Sequence, residues 1–308
     1  MNGRRDPAVH ISTRQFSTVP AAYENVTDDR VTPPDFDPEE VLHPDDDRFD
    51  PENVAIVTGA ASGIGRATAL ALAANDLTVL GCDVDDDGLD ATVARADELG
   101  LAGRVETVAA NLTESAHVDR VVARAADAGA VTFLANVAGL QHIDPIDEFP
   151  TERFDLLHDV MVRAPFLLAK ACLPHMRASD GGCIGNMASV HGRYVTADKV
   201  AYNVSKFGIR GLTQSIAAEG EGAVRAFSVS TGYVKTPLVT EQIPDTAEQR
   251  GISVDEVVED VMLGQSRTKE MMTPLDVANL FVFGFSKHAR HLNGGDLLFD
   301  GGMTLTYG

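Results

Sequence analysis

Lysine is nearly missing from this chain. Lys170, Lys199, Lys206, Lys235, Lys269 and Lys287 are all it has among 308 residues, and the formal net charge is −21. A chain so short of cations excludes the usual electrostatic grip on a nucleic-acid backbone or an anionic bilayer. Arginine is the usual cation, and acidic runs such as Asp83-Val84-Asp85-Asp86-Asp87 recur. That balance is typical of proteins kept in concentrated salt, where screening relieves self-repulsion, so a halophilic cytoplasm is the expectation. Cysteine is scarce too. Cys82, Cys172 and Cys183 are odd in number and have neither metal nor disulfide spacing, which points to a reducing cytosol and no metal site. No apolar run is long enough for a membrane span and no hydrophobic signal core follows the N-terminal arginines; a cytoplasmic protein is expected.

What is present suffices for a core: 44% of the residues are hydrophobic. Residues 1–52 stand apart. They are rich in proline and acid (Pro33-Pro34, Asp45-Asp46-Asp47) and lack periodicity, which predicts an extension that is disordered or draped over the surface. Arg4, Arg5 and Arg14 with Ser12, Thr13 and Ser17 faintly suggest a transit peptide, which Asp6 and the acids that follow oppose. From Val54 onward short apolar runs alternate with helical stretches. Strands are predicted at 54–57, 77–80, 105–109, 131–135, 183–187, 224–230 and 296–299. Helices are predicted at 64–75, 88–99, 115–128, 153–176, 200–219 and 274–286. Alternating β and α with nearly continuous apolar strands means a parallel sheet covered on both faces. The expectation is one doubly wound α/β domain over 53–308, with about seven strands and no internal linker.

The first strand runs into Thr58-Gly59-Ala60-Ala61-Ser62-Gly63-Ile64-Gly65. Glycines at a strand-to-helix turn let backbone amides approach a diphosphate, and the helix N-terminus favours its charge. The second strand ends at Cys82-Asp83. An acid there can accept hydrogen bonds from both adenosine ribose hydroxyls and would repel a 2′-phosphate. No Arg or Lys lies within the glycine loop, and the nearest, Arg66, begins the helix, so NAD is expected over NADP.

Further on, Tyr202 and Lys206 are four residues apart in a predicted helix, with Ser189 thirteen residues before the tyrosine. Positions i and i+4 share a helix face, so a phenol and an ammonium can serve one site. An ammonium beside a phenol favours the phenolate, and a serine hydroxyl can bond both the phenol and a substrate oxygen.

With these marks in order, the chain from Val54 to Gly302 resembles the short-chain dehydrogenase/reductases. The matching features are the loop Thr58–Gly65, the turn Asn136-x-Ala138-Gly139, Ser189, Tyr202-x-x-x-Lys206 and Asp300-Gly301-Gly302. The resemblance implies that the doubly wound α/β domain is of the Rossmann type, and it implies hydride transfer to a nicotinamide dinucleotide, with Tyr202 as acid/base. Lys206 would tune the tyrosine and hold the nicotinamide ribose, and Ser189 would position the reacting oxygen. It assigns the cofactor to Thr58, Gly59, Ser62, Gly63, Ile64, Gly65, Asp83, Asn111, Leu112, Asn136, Ala138, Gly139, Tyr202, Lys206, Gly232, Val234 and Thr236. The family is usually tetrameric, and helices 153–176 and 200–219 would be the dimer faces.

A narrower resemblance, to the (R)-3-hydroxybutyrate dehydrogenases of that family, lies in Leu140–Ile146, Ser189–Gly192, Thr236–Asp245 and Gly251–Ser253 followed by Glu256-Val257-Val258. It implies a small hydroxy or oxo acid held by Gln141, Ser189, His191, Lys199, Tyr202 and Gln242, under a lid at about 239–271. Lys199 is notable in a lysine-poor chain, since a carboxylate needs a cation. Four departures stand out: Met161 where the family carries asparagine, Asn111 for an aspartate, Val137 for an asparagine, and Thr231-Gly232 for Pro-Gly. Met161 puts the usual proton relay in question. Two other readings are an NADPH-dependent 3-oxoacyl thioester reductase and a nucleotide-binding regulator that has lost turnover.

Overall fold

In the first strand Val54 and Ile56 face one way and Ala55 and Val57 the other, and all four are fully buried. A strand whose two faces are both buried must lie inside a sheet covered on both sides. The computed structural model describes residues 29–305 and has that form. In chain order the elements are β1 (Asn53–Thr58), α1 (Gly63–Ala74), β2 (Thr78–Asp83), α2 (Asp86–Leu99), β3 (Arg104–Ala109), α3 (Ser115–Ala128) and β4 (Ala130–Asn136). Then come α4 (Thr151–His158), α5 (Ala164–Ala178), β5 (Gly182–Met187), α6 (Val200–Glu219), β6 (Val224–Thr231), α7 (Pro237–Thr240), α8 (Gln242–Arg250), α9 (Val254–Glu256), α10 (Pro274–Phe285) and β7 (Asp296–Phe299). The seven strands are all parallel, in the order β3-β2-β1-β4-β5-β6-β7. Residues 1–28, which include the arginines and hydroxyls of the transit-like pattern, lie outside the described residues, as do 306–308.

Each face of the sheet has its own core. Helices α1, α2 and α10 pack on the side of Val57, Phe133 and Phe227, and α3, α5 and α6 on the side of Ile56, Leu134 and Ile184. The strand order reverses between β1 and β4. The carboxyl ends of those two strands therefore flank a crevice, which is where ligands bind in such sheets.

One predicted helix differs. The stretch expected as a single helix over 153–176 is α4 and α5 joined by a wider π-helical turn, Asp159–Arg163, in which Ala164 N–H reaches back to Asp159. Hydrophobic periodicity does not register one extra residue per turn, and such turns concentrate at functional sites. Met161 sits in that turn, buried among Leu157, Ala201, Leu140 and Tyr202.

Behind the crevice a polar chain crosses the core. Asn136 Nδ2 donates to Asn186 Oδ1 (2.8 Å), and Asn186 Nδ2 donates to Thr213 Oγ1 (2.9 Å), tying β4 and β5 to α6. Buried amides left without partners would each cost about 1–3 kcal/mol, so this chain fixes the height of α6 against the sheet. Within residues 29–52, Val31 and Val41 are buried and Phe36 and Phe49 pack on the domain. Helices α7, α8 and α9 share a small core of their own, built from Ile243, Val257, Val258, Met262, Leu263 and Met271.

Candidate active site

The turn after β1 is shaped by sterics. Gly59 and Gly63 have φ of +73° and +50°, the left-handed region that glycine enters freely. A Cβ on Gly65 would lie 1.9 Å from the Gly59 carbonyl oxygen, and one on Gly59 would lie 3.0 Å from Ala138 Cα. The turn is thus pressed against both α1 and the loop after β4. Thr58 Oγ1 locks that approach by accepting from Val137 N (2.9 Å) and Ala138 N (3.0 Å). At the start of α1, Ser62 makes no side-chain cap and the first turn contains no acid. Its amides are left to a ligand, and the helix dipole favours an anion there. Thr236, the N-cap of α7, lies 3.3 Å from the place of a Gly63 Cβ, so the loop after β6 closes the far side. The site suits a diphosphate.

Asp83 ends β2 beside this turn. Its Oδ2 accepts from Ala61 N (3.2 Å), and its Oδ1 accepts from Val84 N (2.7 Å) and Asp85 N (3.2 Å). Burial raises its pKa, opposed by those three amides. Arg66 is engaged below the loop: Nε donates to Thr92 Oγ1 (3.0 Å), and Nη2 to the carbonyls of Ala61 and Gly88. Asn111 is turned into a local Asx turn. Its Oδ1 accepts from Thr113 N (3.2 Å) and Thr113 Oγ1 (2.9 Å), and its Nδ2 donates to Glu114. Leu112 is buried beside it. Across the crevice Gly232 N donates to Phe299 O (3.1 Å) and Val234 bridges to Met272.

Ser189, His191, Tyr202 and Lys206 come together where β5 ends over α6. Ser189 Oγ is 3.3 Å from His191 Nδ1, and the hydroxyl acts on Tyr202 so as to lower its pKa. The ring of His191 meets that of Tyr202 edge-on with centroids 5.6 Å apart. Lys206 Nζ lies 5.3 Å from the centroid of Tyr202 and donates to Met187 O (2.8 Å). Burial dominates the electrostatics. It pushes Tyr202 up to about 12, against the opposing effect of the Ser189 hydroxyl, and Lys206 down to about 8. The expected lowering of the phenol by the ammonium is outweighed, because both groups have lost water and Lys206 is directed at a carbonyl. His191 is pushed down to about 4 by burial and by Lys199 and Lys206, so its ring is neutral at pH 7. One ring nitrogen then donates and the other accepts between Ser189 and Thr196.

Lys199 precedes α6, with its pKa lowered by burial and by the Arg250 guanidinium. Among the described residues no carboxylate lies within ion-pair distance of it. Gln141 follows Leu140, which packs near Tyr202, and its buried Oε1 meets no hydrogen-bond partner among the described residues. The loop that carries it is tied down where Asp144 N donates to Asp198 O (2.9 Å). Gln242 is not drawn into this group. It lies one helical turn after Leu238 and donates to that residue's carbonyl. Asn136 and Gly139 line the inner wall, where Met161 Sδ is 3.7 Å from the place of a Gly139 Cβ.

A short chain dehydrogenase family model matches residues 53–247. The chain belongs to the short-chain dehydrogenase family. It is 34% identical over 250 residues to a D-beta-hydroxybutyrate dehydrogenase of Cupriavidus necator, covering 80% of this chain and 96% of the relative. It is 30% identical over 253 residues to a 3-oxoacyl-(acyl-carrier-protein) reductase of Thermotoga maritima, covering 82% and 98%. The solved structure of levodione reductase superposes with a TM-score of 0.78 at 29% identity, over 84% of this chain and all of the other. As a short-chain dehydrogenase this protein is an NAD(P)-dependent oxidoreductase with a dinucleotide-binding fold.

Three residues near the site were not singled out by sequence reasoning. Thr196 Oγ1 is 3.1 Å from His191 Nε2. Tyr233, directly after Gly232, bears on the titration of both Tyr202 and Tyr194. Arg250 ends α8 and acts on Lys199 and Tyr233. Gly251 with φ +63° was its sequence signal, since a left-handed glycine ends a helix and leaves the residue before it at the tip. Among the described residues no cluster could hold a metal ion, and no helix is long and apolar enough to cross a membrane.

Proposed function

We propose that the protein oxidises (R)-3-hydroxybutyrate to acetoacetate, and catalyses the reverse, with NAD as its dinucleotide. The observation that carries this reading is Lys199. In a chain with 46 acidic residues and six lysines, this lysine stands part-buried beside the catalytic candidates with no carboxylate partner among the described residues, and Arg250 adds a second positive charge. Gln141 adds a buried amide oxygen with no partner among the described residues, and His191 a neutral ring at Ser189. A small anionic substrate suits this set: its carboxylate would accept from Lys199, the Gln141 side-chain N–H and the His191 ring, and it needs a cation when desolvated.

Bound NAD supplies the hydride acceptor and a positive charge at the reacting face. The chain would hold it through the amides of the Thr58–Gly65 turn, Asp83, Asn136, Lys206 and Thr236. Tyr202 removes the hydroxyl proton of the alcohol while Ser189 holds its oxygen, and Lys206 offsets the negative charge on the phenolate. Lys199, His191, Gln141 and, on lid closure, Gln242 hold the carboxylate end. Asp83, with its amide-fixed carboxylate, and Arg66, committed beneath the loop, favour a free ribose 2′-hydroxyl over a 2′-phosphate.

The test is NADH formation from (R)-3-hydroxybutyrate with NAD or NADP, for the wild type and Lys199→Ala. Loss of a charge-assisted contact should raise KM by ~10–100-fold with NAD retained as cofactor. Reduction of NADP alone, or an unchanged KM in the variant, would favour a 3-oxoacyl thioester reductase. No turnover with any hydroxy acid would favour a nucleotide-binding regulator.

A further inference from the structure

The family match begins at residue 53, yet the segment before it is fastened to the domain along one continuous line. At its lower end Asp46 pairs with Arg48 (2.8 Å), and Arg48 Nη2 donates to the Phe285 carbonyl (2.8 Å) at the end of α10. Phe49 packs on Phe133 with centroids 5.5 Å apart. Midway along α10, Asn279 accepts from Leu42 N (2.8 Å) and donates to the Glu40 carbonyl (3.0 Å), with Val41 buried between. At the upper end the chain reaches the 239–271 segment. Val31, 5% exposed, enters the small core of Ile243, Val257, Val258, Met262, Leu263 and Met271. Arg30 pairs with Asp255 and with Glu259 (3.0 Å), and Lys235 Nζ donates to the Asp29 carbonyl.

We infer that residues 29–42 form a strap that leads from the lid onto α10, running in the same direction as that helix, and holds the lid, with Arg30 and Val31 as its positioning residues. Among the described residues Val31 is the one member of the lid's core from outside 233–271, so the strap completes that core. The charges agree with this placement. Asp255, Glu256, Glu259 and Asp260 crowd one and a half turns of the lid, and an arginine carried in by the strap relieves their mutual repulsion. A lid whose packing depends on a separate chain segment is a lid whose opening that segment can set. The consequence for substrate rests on the proposed function above; the mechanical coupling does not.

The experiment uses the full chain with Val31→Asp, with Arg30→Glu, and with Arg30→Glu combined with Asp255→Arg and Glu259→Arg. Amide exchange is followed by mass spectrometry without ligand, beside KM for (R)-3-hydroxybutyrate and Kd for NAD. Either single variant should speed exchange across 243–262 by ~10-fold or more while β1 and α6 stay protected. KM for the hydroxy acid should rise with Kd for NAD unchanged, and the charge-reversed triple variant should recover both. Unchanged lid exchange in both single variants would overturn the strap, as would a speed-up spread evenly over β1 and α6. If the wild type turns over no hydroxy acid, the functional reading falls while the exchange pattern still decides the strap.

Discussion

Lys206 Nζ stands 5.3 Å from the centroid of the Tyr202 ring and gives its hydrogen bond to the carbonyl of Met187, not to the phenol. With burial holding Tyr202 up at about 12 and Lys206 down at about 8, the neutral-pH form of the pair is phenol and ammonium. In the proposed mechanism alcohol oxidation requires the phenol to lose its proton, so its rate should climb as pH rises through neutrality. Carbonyl reduction starts from the phenol already present, so its rate should stay level over the same range. Tyr202→Phe should lower kcat by ~10²–10⁴-fold in both directions and flatten the oxidation profile, measured by steady-state kinetics.

His191 offers a test that needs no substrate. Its ring is faced by Lys199 and Lys206 and touches Tyr194 and Tyr202, and its pKa falls from 6.5 to about 4. Between those values the unfolded chain binds a proton that the folded one refuses, so the stability the neutral ring contributes is lost as pH falls from 6.5 toward 4. The full shift corresponds to about 3 kcal/mol at most. His191→Gln should remove that part of the slope, read as the difference between wild-type and variant urea midpoints at pH 7 and pH 4.5.

Much of this architecture was legible in the sequence, for physical reasons. Continuous apolar runs at Val54–Val57 and Val131–Ala135 can belong only to strands covered on both faces, and the boundaries of α3 and α6 agree with the predicted ones. Ser189, His191, Tyr202 and Lys206 fall together because the tyrosine and lysine share a helix face and the strand before that helix ends over it. The π-helical turn around Met161 was invisible, because a single extra residue per turn leaves composition and periodicity intact. Arg250 and Thr196 were missed for another reason. Gly251 marks Arg250 as a helix end, but no local pattern ties either residue to the site, and each meets it only through the tertiary fold. The course of residues 29–52 was equally hidden: prolines and acids carry no periodicity, and the anchors Val31, Phe36, Val41 and Phe49 are spaced for an extended strap.

The glycine turn gives a third prediction. A methyl group on Gly65 would sit 1.9 Å from the Gly59 carbonyl, so Gly65→Ala must push the turn away from α1. The amides aimed at the diphosphate would then lose their alignment. Dinucleotide affinity should fall by ~100-fold or more, as when two or more charge-assisted hydrogen bonds are lost. Isothermal titration with NAD measures this. Gly100→Ala is the contrast: it has φ +60° but open space around it, so it should cost some stability and leave affinity alone.

The turn that carries His191 is held from behind by Asp296, at the start of β7. Asp296 Oδ2 pairs with Arg193 (2.6 Å) and lies 3.6 Å from Arg210 Nε, while its Oδ1 accepts from Ser228 (2.6 Å) and Ser230 (2.9 Å). Arg210 in turn donates to the carbonyl of Gly192, and Gly192 packs so closely on α6 that a Cβ there would lie 2.6 Å from the Lys206 carbonyl. Asp296 thus presses the 190–192 turn onto the helix of Tyr202 and Lys206. Asp296→Ala leaves two arginines and two hydroxyls without their common acceptor. It should cost about 2–4 kcal/mol, at the low end for a buried pair because the arginines are part-exposed. Urea denaturation measures that loss. With the turn released, KM for the hydroxy acid should rise in the folded variant while affinity for NAD is kept. An unchanged KM would mean that α6 alone sets the position of His191.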